Sequence, residues 1–120
     1  MIRKSSLIRI DAKNSEIGAW DRDTGADYPR DTKAHIQQAF ANVEATLKLA
    51  GGTGWDQVYL IRSYHVGMTQ DALEVTAQCL KEYTPDHAPL WTAIGVEKLA
   101  FPEMRIEIEV KAHVSPKDVS

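Results

Sequence analysis

The residues best suited to chemistry lie in one short stretch, Met104-Arg105-Ile106-Glu107-Ile108-Glu109-Val110-Lys111. Strict alternation gives this stretch two faces when it is extended: Arg105, Glu107, Glu109 and Lys111 on one, Ile106, Ile108 and Val110 on the other. The apolar set is expected to face helices. The charged set has two readings. It is either a solvated face of mixed sign, or part of a subunit interface. In the second case a desolvated carboxylate would have a raised pKa and serve as a general acid or base. The three tryptophans divide similarly. Trp55 opens a long β-rich run and is expected in the core. Trp20, at a turn, and Trp91, after a proline-containing loop, either pack simply or form flat apolar walls for a planar ligand.

Other sources of chemistry are missing from the pattern. Gly51-Gly52-Thr53-Gly54 lacks the lysine of a phosphate loop and comes after a helix instead of preceding one. There is no nucleophile elbow. His35, His65, His87 and His113 are too widely spaced to suggest a local metal site, and the lone Cys79 adds no ligand pair. The expectation is therefore a site without metal or cofactor.

A chain of 120 residues fits one domain spanning 1–120. A domain this small has little surplus stability, so self-association is expected. The net charge of -3 comes from 17 acidic and 14 basic residues, and the basic ones do not cluster. Nucleic acid, which needs a basic patch, is not an expected partner. No stretch approaches a membrane span. The start of the chain has basic residues but no apolar run of signal-peptide length. With a single cysteine this points to a reducing compartment, the cytoplasm.

The elements that must position these residues are set by periodicity. Leu7 to Asp11 reads as a strand and Asn14 to Trp20 as a second one, which ends in the turn Asp21-Arg22-Asp23-Thr24-Gly25. Asp31 caps a helix from Thr32, whose apolar face is Ile36, Phe40, Val43 and Leu47, and Gly51-Gly52 stops it. Trp55 to Val66 is a strand with apolar residues on both faces. Thr69 caps a second helix with Leu73, Ala77 and Leu80 on its stripe and Tyr83 beyond. Leu90 to Val96 and Met104 to Ala112 are the last strands, and the tail from Pro116 is expected to fray. The order β-β-α-β-α-β-β implies an α/β fold with two helices on one face of a sheet. The other face needs cover that a chain this short does not supply, and an oligomer would supply it.

Several stretches together resemble the YjgF/Rid family of reactive-intermediate deaminases, also called endoribonuclease L-PSP. They are Trp20-Asp21-Arg22-Asp23-Thr24-Gly25, Gln38-Ala39-Phe40-Ala41-Asn42-Val43, Ala50-Gly51-Gly52, Val58-Tyr59 through Ser63-Tyr64-His65-Val66, and Ile106-Glu107-Ile108-Glu109. The resemblance runs from about Leu7 to His113. It implies a chorismate-mutase-like fold and a homotrimer with a central β-barrel and clefts between subunits. It implies hydrolysis of enamine and imine intermediates, with a glutamate positioning the attacking water and an arginine clamping the substrate carboxylate. The glutamate falls on Glu107. The arginine's position holds Trp91, the family's frequent cysteine falls on Ala93, and a glycine–glutamine pair falls on Glu16-Ile17. The resemblance thus gives Glu107 as the catalytic candidate, and Trp91, Trp20, Ile17, Thr92 and Ala93 as substrate-binding candidates.

The functional expectation is a Rid-type enzyme on a small molecule in an intersubunit cleft, altered in substrate or reaction because Trp91 replaces the clamp; Arg62 and Lys98 are the first cations to test as substitutes for it. The alternative is a non-catalytic ligand-binding or protein-protecting trimer. Endoribonuclease activity ranks last, given the acidic balance.

Overall fold

A computed structural model describes residues 6–10, 31–102 and 104–114. The expected second strand, the turn after it, Ile17, Trp20 and the C-terminal tail lie outside the described residues. Within them the chain forms β1 (Ser6–Ile10), α1 (Thr32–Leu49), β2 (Val58–Val66), α2 (Gln70–Tyr83), β3 (Leu90–Val96) and β4 (Ile106–Val114). The strands make one mixed sheet in the order β1-β4-β2-β3. β4 runs antiparallel to both β1 and β2, while β2 and β3 are parallel and joined through α2.

Both helices start where their capping chemistry requires. The Asp31 carboxylate accepts from the Ala34 amide at 3.0 Å, and the Thr69 hydroxyl accepts from the Ala72 amide at 3.1 Å. Each cap satisfies an amide that the first helical turn leaves without a backbone acceptor. α1 ends as Gly51 turns to φ 98°, a conformation that costs glycine little. Its face of Ile36, Ala39, Phe40, Val43 and Leu47 is buried, as its spacing predicts. Gly54 is held at φ 121°, and a Cβ there would run into the Glu44 carboxylate. Glu44 in turn accepts from the Trp55 amide at 3.1 Å.

Three expectations need correction. The stretch expected as a strand from Trp55 opens with a 3-10 turn, Trp55–Gln57, and becomes a strand only at Val58. That turn drops the Trp55 ring into the core, where it stacks on Phe40 at 4.8 Å between ring centres and donates its indole N–H to the Phe40 carbonyl at 3.0 Å. The last strand starts at Ile106, two residues later than periodicity suggests. The buried face of α2 is Ala72, Thr76, Cys79 and Leu80, so Leu73 and Ala77 lie at its margin and are only half-buried. Apolar type marked Leu73 as core. Packing chose small side chains instead: Ala72 and Thr76 sit in the helix face, and the Thr76 hydroxyl is satisfied by the Ala72 carbonyl at 2.7 Å.

The alternation of β4 holds. Ile106, Ile108, Val110 and Ala112 are fully buried in the core with Val58 and Ile61 of β2. The sheet therefore has a helix-side face, and a second face on which Arg62, Tyr64, Glu107 and Glu109 stand together.

Candidate functional site

Register builds the second face row by row. Arg62 of β2 stands beside Thr92 of β3 and opposite Glu109 of β4. One step along, Tyr64 stands beside Ile94 and opposite Glu107. Glu109 is the buried member, with only 4% of its side chain exposed. One of its oxygens, Oε1, lies 3.2 Å from Arg62 Nη1 and accepts the Tyr64 hydroxyl proton, also at 3.2 Å. A carboxylate leaves water at this cost only when a cation and further donors replace its hydration. Arg62 keeps 41% of its side chain exposed. Glu107 is half-buried in the same row of side chains, and Thr92 is exposed. This face thus offers a carboxylate for proton transfer, a fixed guanidinium, a phenol and a hydroxyl.

Trp91 lies on the other side of the sheet. Its partner in register is Ile61, a core residue, and its indole N–H donates to Ser63 Oγ at 2.8 Å. Ser63 Oγ is also 2.8 Å from His65 Nε2. Ser63 and His65 are both buried. With its oxygen accepting from the indole, the Ser63 hydroxyl has its proton left to give to a neutral imidazole. Burial lowers the His65 pKa below its ordinary 6.5, which keeps the ring neutral.

The neutral ring couples stability to pH. A histidine whose folded pKa lies below its unfolded value of 6.5 stays neutral while the unfolded chain takes up a proton. Its contribution is intact above pH 6.5 and is lost as pH falls below 6.5 towards the folded pKa. Thermal melts at pH 7.5 and 5.5 are expected to show a drop at the lower pH that shrinks in His65→Gln. An equal drop in both proteins would show that other groups carry the acid sensitivity.

Two hollows flank these residues on the helix side. Trp91 and Ala93 line an open apolar groove of about 440 Å³ against Leu73 and Ala77 of α2. His65, Gly67, Thr69 and Arg105 line a cavity of about 290 Å³ near the starts of both helices. Cys79 is buried, and burial, first, then Glu82, pushes its thiol up to about 11, so it is no nucleophile at neutral pH. Among the described residues no three histidine, cysteine, aspartate or glutamate side chains group to hold a metal ion. Nor is any described helix long and apolar enough to cross a membrane.

The site residues expected from sequence are thus distributed. Glu107 and Thr92 share the second face of the sheet. Trp91 and Ala93 share the groove beside α2. Ile17 and Trp20 lie outside the described residues. Within one chain the sheet separates Trp91 from Glu107, so a cleft that uses both must reach around the β3 edge or be completed by another subunit. Sequence reasoning singled out Arg62, with Lys98, as a candidate substitute for the clamp, but missed its cluster with Tyr64 and Glu109. Arg62 and Tyr64 share one parity along β2, but their pairing with a carboxylate 47 and 45 positions away is a matter of register.

A small mixed sheet with two helices, a titratable row on the second face and an apolar groove at its edge define an α/β protein with hollows on its helix side. The chain belongs to the family described as Endoribonuclease L-PSP, which matches residues 16–114, and which is the Rid/YjgF family of enamine and imine deaminases. It is 32% identical to YyfB from Yersinia pestis, a Rid-family protein of unknown function, over 79% of this chain and 71% of that one, with a TM-score of 0.69. The fold is shared with RidA from the Antarctic bacterium Psychrobacter (19% identity, 94% and 85% of the two chains, TM-score 0.75). It is shared also with Escherichia coli TdcF, crystallised with bound serine (17% identity, 92% and 82%, TM-score 0.74). No curated protein matches the sequence.

Proposed function

We propose that this protein hydrolyses small imine or enamine intermediates in clefts completed by neighbouring subunits of a homotrimer, with Glu107 as the acid/base. The observation that carries this reading is the placement of Glu107, half-buried and opposite Tyr64 on the second face of the sheet. A carboxylate partly removed from water, beside a phenol and one step from a guanidinium, is equipped to hold and activate a water molecule. The serine bound to TdcF supports a small amino- or imino-acid-sized ligand. Trp91 stands where arginine-bearing relatives clamp a substrate carboxylate, and an indole carries no charge to do so. The substrate range is therefore shifted away from the smallest imines towards those with a larger apolar side chain. The same substitution favours, as a second reading, a trimer that binds such ligands without turning them over.

The test is a panel of imines generated in place by an amino-acid oxidase, with ammonia release monitored with and without the protein. Hydrolysis is expected to accelerate most for substrates with larger apolar side chains. For 2-aminoacrylate it is expected to be slower than with an arginine-bearing relative measured alongside. No acceleration across the panel would leave the binding-only trimer as the reading.

The trimer has its own test. The second face of the sheet exposes Leu90 at 72%, and a domain of this size gains stability by covering such surface. Light scattering at micromolar concentration is expected to give three times the 13.4 kDa chain mass. A monomer mass would remove the intersubunit cleft from the proposal.

A further inference from the structure

We propose that Arg62, held by the buried Glu109 and flanked by Thr92, is the anchor for a ligand carboxylate on the second face of the sheet. The proposal rests on the reading of Glu107 as the acid/base, because it adds the residue that holds the substrate at that site. The position with the indole at 91 contributes no cation, and the fold supplies one from the neighbouring strand.

Three observations carry it. First, Arg62 is fixed from below. Its Nη1 meets Glu109 Oε1 at 3.2 Å, and the same oxygen accepts from Tyr64. A guanidinium has five N–H donors in a rigid fork, so one contact to Glu109 leaves a geometry suited to a second carboxylate. Second, burial is asymmetric: Glu109 is 4% exposed, whereas Arg62 is 41% exposed. Within one subunit the carboxylate is consumed, while the guanidinium keeps surface to present to the intersubunit cleft. An ion pair serving stability alone gains little from such an arrangement, whereas a binding group gains pre-organisation. Third, register supplies neighbours. The exposed Thr92 adjoins Arg62 on β3 and adds a hydroxyl donor. Glu107 lies on the diagonal from Arg62 across β4, about 7–8 Å between backbones. A carboxylate on Arg62 and Thr92 therefore sets the second and third carbons of a small acid towards Glu107, where the reacting C=N carbon would sit.

The test uses 2-oxobutanoate and its neutral counterpart 2-oxobutanamide as probes, titrated into the intact protein and monitored by backbone amide NMR. The acid is expected to bind about tenfold or more tightly than the amide, with shifts at residues 62, 92 and 107. Arg62→Gln is expected to weaken the acid by about tenfold or more and leave the amide unchanged. Arg62→Lys keeps the charge without the fork, so it restores part of the affinity; Thr92→Val weakens the acid a few-fold. Should Arg62→Gln fail to fold once Glu109 is stripped of this cation, the Lys and Val variants carry the test. Equal binding of acid and amide, no binding of either at millimolar concentration, or unchanged acid binding in the folded variants would overturn the anchor. Binding and turnover measured together on the native protein separate the two proposals. Acid binding without turnover in the native protein would remove the hydrolase and keep the anchor, and imine turnover with no preference for acid would do the reverse.

Discussion

Glu107→Gln is expected to lower imine hydrolysis by about 10²–10⁴-fold while leaving ligand affinity within a few-fold of the native protein. The amide matches the carboxylate in size and keeps its place opposite Tyr64, but it neither takes nor gives a proton. The loss should therefore appear in kcat and not in KM. Ammonia release, measured with whichever imine the native protein accelerates most, reads the turnover. Amide NMR titration reads the affinity. Turnover retained in this variant would show that Glu107 is a structural member of the charged row, and the acid/base role would have to pass to another group on that face.

The second large effect concerns the frame. Trp55→Ala is expected to destabilise the chain by about 3–5 kcal/mol, the usual range for deleting a buried aromatic. Trp55 is 1% exposed, stacks on Phe40 at 4.8 Å and reaches Tyr83 at 5.9 Å. Its loss also strips the Phe40 carbonyl of the indole N–H. Small domains have about 5–15 kcal/mol in total, so the variant should be close to unfolding at physiological temperature. Leu49→Ala, at a side chain 74% exposed, should by contrast change stability by less than about 0.5 kcal/mol. Urea unfolding at one fixed protein concentration checks both, because any association of subunits makes the midpoint depend on concentration. A small loss at Trp55 would mean that the ring stack is formed but contributes little.

Much of this architecture is legible in the sequence because it depends on local physics. Asp31 and Thr69 are caps because a short oxygen-bearing side chain must meet the free amides of a first helical turn, and that requirement acts over three residues. Ile36, Phe40, Val43 and Leu47 declare a helix face, and Ile106, Ile108 and Val110 a strand face, because period alone decides which side chains align. The bounds expected for β3, Leu90–Val96, also match. The choice of Glu107 as the candidate comes from the alternation of β4, which separates it from the apolar set, and from the family resemblance, which gives the position its role.

Tertiary structure decided what touches what. Whether Leu73 or Thr76 enters the core depends on which face of α2 packs on α1, and side-chain polarity does not encode that. The 3-10 turn at Trp55 depends on the Glu44 carboxylate reaching its amide from α1. Above all, strand order and register are long-range quantities. The parallel pairing of β2 with β3 sets Trp91 against Ile61 and turns it towards the helices, away from Glu107. The antiparallel pairing of β2 with β4 brings Arg62 and Tyr64 onto Glu109. Because side chains alternate with a period of two, a shift of one residue in either pairing would have exchanged the faces and dispersed that cluster. The sequence alone determined both helices, the strands among the described residues and a catalytic candidate; only the folded sheet decided that Arg62 stands one step from it on the same face.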